Sequence, residues 1–123
     1  MADQVCNEII YRRRWVRYTE DANEIPHEEG IYVIGVKIEG RRDIQYLYLG
    51  RSEDVHKRLI QHKHGIQEID EFVMENFQEN DGIYLRVKWI KEPKPKEKET
   101  PYINCVEQKL GYKLIYNKIG RGK

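Results

Sequence analysis

Two tyrosines, an arginine and a histidine are spaced so that they could act together on one anionic group. Tyr32 and Tyr48 fall at corresponding ends of two β-type segments, residues 30–38 and 44–50, and both take the even positions of their segments. If those faces coincide, the two hydroxyls converge; a tyrosine pair on a sheet is otherwise core or rim packing with a polar tip in water. Arg58 and His62 follow on a helix. On a wheel turning about 100° per residue with Val55 at zero, Leu59 falls about 40° to one side, and His62 about 20° and Arg58 about 60° to the other. Two basic groups therefore lie in or beside an apolar stripe, while Lys57 points away. An arginine there needs an anion, because an unpaired buried charge costs several kcal/mol. Either a carboxylate such as Glu107 meets Arg58 in a structural ion pair, or a bound phosphate does. His62 taken alone reads as a satisfied core histidine.

Those positions need elements to hold them. Residues 30–38 are a β-branched and aromatic run, apolar on both parities at its start, which is the pattern of a strand covered on two faces. Residues 39–43 (EGRRD) form a turn and a second strand follows over 44–50, so the pair reads as a β-hairpin. Ser52 offers an N-cap to a helix reaching about residue 63, with Glu53 and Asp54 in its first turn and Gly65 at its end. Ile66, Ile69, Phe72, Val73 and Phe77 recur at helical spacing opposite Glu68, Asp70, Glu71 and Glu75, predicting a second helix over 66–77 with an acidic outer face. After a turn at Asn80, Asp81 and Gly82, the residues Ile83, Leu85, Val87 and Trp89 alternate with Tyr84, Arg86 and Lys88 as in a half-buried antiparallel strand. Residues 91–100 (KEPKPKEKET) read as a solvated loop, and a final helix starts at Pro101 and reaches about residue 110, where Gly111 can cap it.

In residues 1–29, Ile9, Ile10, Tyr11, Trp15 and Tyr18 could line a helix or an extended arm, with Arg12, Arg13, Arg14 and Arg17 outside. Trp15 either staples this segment to the core or stacks on an unpaired base. The expected organisation is a basic and aromatic N-terminal segment over 1–29 packed on or leading into the domain, one domain over 30–119, and a flexible tail over 120–123.

Composition narrows the function classes. The 123 residues, 39% hydrophobic and 35% charged, suit one small core. No stretch approaches the ~20 apolar residues that cross a bilayer, and the N-terminus lacks a signal-peptide layout, so the expectation is an intracellular protein, cytoplasmic or nuclear, that is neither secreted nor in a membrane. Cys6 and Cys105 lie far apart without metal-ligand spacing and are expected as two buried thiols. A net charge of +1 exerts no global pull on nucleic acid, so such a partner must meet a local patch.

The ordered set Gly30-Ile31-Tyr32, Tyr48-Leu49-Gly50, Arg58, His62, Glu107 and Asn117 resembles the GIY-YIG nuclease superfamily, which includes homing endonucleases, some restriction enzymes and the incision subunit of bacterial excision repair. The resemblance spans residues 30–117 and includes the whole string YLGRSEDVHKRLIQH over 48–62. It implies an α/β (α+β) fold, a three-stranded antiparallel sheet flanked by helices, that hydrolyses DNA phosphodiesters with one divalent metal. Glu107 would hold that metal, Mg²⁺ or Mn²⁺ by its hard oxygen ligand. Tyr32 would be the general base, with Tyr48 and His62 near the same oxygen. A tyrosine of pKa about 10 is a poor base near neutrality, so a cation or a hydrogen-bonded relay must assist it. Arg58 would clamp the phosphate, Asn117 would order the site, and Arg41, Arg42 and Arg51 are further candidate nucleic-acid contacts. The sequence departs from the family pattern at Leu49, where isoleucine is usual, and in a charged hairpin tip over 38–43. A near-neutral charge implies weak binding unless a dimer or an accessory recognition protein adds affinity. The competing readings are a noncatalytic module that keeps the fold and binds nucleic acid or protein, and an RNA-directed nuclease.

Overall fold

The computed structural model describes residues 5–19, 22–65, 67–77 and 81–117. A tail over 120–123, Ile66 in the second helical stripe and Asn80 in the turn lie outside the described residues.

The fold is α+β. Four antiparallel strands, β1 (Val16–Arg17), β2 (Gly30–Ile38), β3 (Ile44–Ser52) and β4 (Ile83–Lys91), lie in the order β1-β4-β2-β3. The expected three-stranded sheet is thus corrected to four. The added strand pairs only Val16 and Arg17 with Val87 and Arg86, too short a run to show any periodicity in sequence. It follows a π-helical turn over Glu8–Arg12, so the N-terminal segment is partly helical and partly extended. Ile9 and Tyr18 from this segment are buried, whereas Tyr11 is exposed.

β2 is central, and its apolar residues on both parities are buried between β3 and β4. In the hairpin Ile34 pairs with Tyr48 and Gly35 with Tyr46, so Leu47 is the extra residue of a bulge. One sheet face packs Ile31, Val33 and Leu49 against α3 (Pro95–Leu110), and the other packs Tyr32, Ile34 and Val87 against α1 (Val55–Gln61) and α2 (Glu68–Asn76).

α1 takes its N-cap from Asp54, whose side chain accepts the Lys57 N–H at 3.0 Å; Ser52 instead receives the Asp54 N–H at 2.9 Å. α2 does not keep all its acids outside, because Asp70 is buried. α3 begins at Pro95 and runs through Pro101, so the solvated loop expected over 91–100 is helical in its second half. Pro95 suits the first helical turn, where its missing N–H costs nothing, and its burial docks that turn while Lys96, Glu97 and Lys98 stay exposed. Pro101 sits on the exposed side of the helix.

Cys6 and Cys105 form a disulfide with their Cα atoms 5.9 Å apart, correcting the expectation of two thiols. Their separation of 99 residues carried no signal of this, because only packing brings the N-terminal turn onto α3. Among the described residues no helix is long and apolar enough to cross a membrane.

Candidate active site

The hairpin register sets the two tyrosines. Tyr32 lies opposite Gly50 and Ile34 opposite Tyr48, so Tyr32 and Tyr48 are diagonal neighbours on one face, with ring centroids 6.2 Å apart. Gly50 makes this possible: a Cβ there would overlap the Tyr32 ring and stand 2.8 Å from the Tyr48 ring. Tyr32 has no exposed surface, whereas Tyr48 is half-buried. Both phenols are pushed above their ordinary pKa, chiefly by burial, which outweighs the lowering effect of the Arg58 charge. The Arg58 charge alone therefore does not bring either phenol back to its ordinary pKa.

His62 stands on the 3₁₀ turn that continues α1. Its Nε2 lies 2.6 Å from the Tyr32 hydroxyl, and both tyrosine rings meet the imidazole edge-on. Its Nδ1 meets the carboxylate of Asp70 on α2. Burial pushes the His62 pKa down to about 4, against the opposing pull of Asp70. Tyr18 closes the layer from behind, its hydroxyl donating to the Leu59 carbonyl at 2.5 Å.

Arg58 is half-buried beside these groups, and its charge acts on Tyr18, Tyr32, Tyr48 and His62. No ion pair joins it to a carboxylate among the described residues. Of the two sequence readings, the structural pair with Glu107 is not made. The Glu107 carboxylate turns instead into the C-terminal end of α3, where it accepts the Leu114 N–H at 2.7 Å and lies 3.7 Å from Lys113 Nζ.

Of the α3 acids it is Glu99, on the first turns of the same helix, whose negative charge raises the pKa of both Tyr32 and Tyr48, while Asp70 adds to the effect on Tyr48. Glu99 is half-buried, 3.4 Å from the Arg51 guanidinium, and its own pKa is raised because desolvation outweighs that pairing. Eight residues separate Glu99 from Glu107, about 12 Å along a helix axis, so the two do not serve one ion. Among the described residues no three His, Cys, Asp or Glu side chains group as a metal cage. A single desolvated hard-oxygen donor fits a weakly held divalent ion, and it does not fit a structural metal.

Asn117 lies against β3, with its amide bonded to both backbone groups of Leu49. Arg51 is at the site through Glu99, whereas Arg41 and Arg42 line a separate cavity of about 550 Å³ at the hairpin tip, with Ile38 and Tyr112.

Sequence reasoning missed Asp70 and Glu99, although each left a trace. Gln67 and Asp70 stand three apart at the start of α2, the spacing of a reciprocal N-terminal cap, and Asp70 Oδ2 does accept the Gln67 N–H at 2.9 Å. Glu99 precedes the buried Tyr102, Ile103 and Val106 by three, four and seven residues, which sets a carboxylate on the apolar stripe of α3. That signal depends on starting the helix at Pro95. No protein-family model, curated protein or solved structure matches the chain.

Proposed function

We propose that the chain is a metal-dependent endonuclease of GIY-YIG type that hydrolyses DNA phosphodiester bonds. One observation carries the reading: a half-buried arginine without a carboxylate partner among the described residues stands beside a tyrosine pair, of which Tyr32 is hydrogen-bonded to a buried histidine. A structural role would pair that arginine with an acid, whereas a phosphate-binding role keeps its planar fork free for an anion.

Arg58 clamps the scissile phosphate and stabilises the charge that gathers as it becomes pentacoordinate. Tyr48 has the exposed edge of the tyrosine pair, so the attacking water meets its hydroxyl, and Tyr32 behind it passes the proton inward. Glu99, in place of Glu107, is the residue that would hold Mg²⁺ or Mn²⁺, which when bound supplies charge neutralisation at the phosphate oxygens. Asn117 holds the edge strand that carries Tyr48. Arg51 lies 3.4 Å from Glu99 and is a further candidate for a phosphate contact.

The test is nicking of supercoiled plasmid in Mg²⁺, Mn²⁺ or EDTA by wild type, Glu99→Gln and Arg58→Ala, purified identically. Metal-dependent nicking by wild type that both variants lose is the expected result. Equal cleavage by all three would identify a contaminating nuclease and overturn the reading.

A further inference from the structure

We propose that Asp70 is a positioning residue of this site: it holds the His62 imidazole in the Nδ1–H tautomer, leaving Nε2 as the acceptor for the Tyr32 hydroxyl proton. The catalytic use of this arrangement rests on the nuclease reading above, while the arrangement itself does not.

Asp70 is 1% exposed, and both of its oxygens are engaged, Oδ1 with His62 Nδ1 and Oδ2 with the Gln67 N–H. The carboxylate accepts at Oδ2 from the Gln67 N–H, and acceptance at Oδ1 likewise places the hydrogen of the other contact on Nδ1. A neutral imidazole has one such hydrogen, and burial keeps His62 neutral. Nε2 is then a bare lone pair 2.6 Å from the Tyr32 oxygen, and the Tyr32 O–H must be the donor.

The seat is shaped for this contact. The chain turns at Gly65, and a Cβ there would overlap the Asp70 carboxylate, so only a glycine leaves room for the acid beneath the imidazole. Reciprocal capping of α2 needs just one Asp70 oxygen. The other, in a fully buried position, has His62 as its partner.

As the water is deprotonated the Tyr32 O–H bond breaks and an Nε2–H bond forms; His62 is imidazolium only for the duration of the step, with its Nδ1–H directed at the Asp70 carboxylate. The Tyr32 phenolate accepts the Tyr48 proton, and Tyr48 accepts one from the attacking water. One proton leaves the water and one arrives at His62, to return to solvent by the same path after cleavage. Asp70 thus stabilises the cation formed at its neighbour and does not itself take up the proton.

The test reads the tautomer directly, by long-range ¹H–¹⁵N correlation of the His62 ring in labelled protein at pH 7 without metal or nucleic acid. Wild type is expected to show a protonated Nδ1 and a bare Nε2; the reverse overturns the proposal. Asp70→Asn keeps an oxygen for Gln67 but presents an N–H to Nδ1, so His62 is expected to switch to the Nε2–H form. An unchanged tautomer in that variant overturns the role of Asp70. Should Asp70→Asn fail to fold, Gly65→Ala, which crowds the carboxylate off its seat, supplies the second perturbation with the same expected switch. In the plasmid assay Asp70→Asn is expected to lose about 10²-fold or more in kcat with little change in KM, and wild-type kcat in that variant overturns the proposal. A wild type that does not cleave removes the nuclease reading and leaves the tautomer to decide the positioning.

Discussion

Asn117 satisfies both backbone groups of Leu49 with one side-chain amide: its Oδ1 accepts the Leu49 N–H at 2.7 Å and its Nδ2 donates to the Leu49 carbonyl at 2.8 Å. β3 is the outer strand on this side of the sheet, so the amide stands where a neighbouring strand would. The adjacent Tyr116 N–H extends the cover to the Leu47 carbonyl at 3.1 Å.

Replacing that amide should therefore loosen the strand that carries Tyr48. Asn117→Ala leaves a buried donor and acceptor unmet and is expected to cost about 2–4 kcal/mol in urea unfolding. Asn117→Asp keeps the acceptor but turns a carboxylate toward the Leu49 carbonyl, and is expected to be at least as destabilising. A stability loss below ~1 kcal/mol in both variants would show that the edge does not depend on this residue.

The two acids of α3 should separate cleanly. Glu107→Gln keeps an oxygen for the Leu114 N–H and should retain most nicking activity, with a stability loss of about 1 kcal/mol. Glu99→Gln is expected to abolish nicking while leaving stability near wild type, since its pairing with Arg51 is partly solvated. The opposite pattern would return the metal to Glu107.

Acid should destabilise the fold through His62. Its folded pKa of about 4 lies below the ordinary 6.5, so the unfolded chain binds the proton first. Stability is then unaffected by this group above pH 7, falls as pH drops from about 6.5 toward 4, and levels off below, a total of the order of 3 kcal/mol. His62→Gln removes the dependence, so the two proteins' stability curves against pH should diverge across that window. Parallel curves would mean that the imidazole titrates alike in both states.

Reduction should cost stability and spare the chemistry. The Cys6–Cys105 bridge spans 99 residues, and opening a loop of that size is worth about 4–5 kcal/mol in chain entropy. Cys105→Ser is therefore expected to unfold at clearly lower urea. At low temperature the folded variant is expected to keep nicking plasmid, because Tyr32 and Leu59 pack on the other face of the sheet from the bridge and only Glu99 shares α3 with Cys105. Lost activity in a folded variant would show that the bridge sets the position of Glu99.

Much of the scaffold can be read from local periodicity. The double-sided apolar run of β2, the alternation in β4 and the stripe of α1 each state which face of an element is buried, and that alone puts Tyr32 and Tyr48 on one parity and Arg58 and His62 at the edge of a core. Periodicity is silent about which distant residue arrives opposite a given face. The start of α3 was decided by docking Pro95, and with it Glu99 came near enough for its charge to act on both tyrosines. The turn at Gly65 folded Asp70 back beneath His62, and packing of the N-terminal turn joined Cys6 to Cys105. Local patterns follow from the geometry of one helix or strand. Long-range partners follow from which surfaces exclude water from one another, and that is settled only when the whole chain packs.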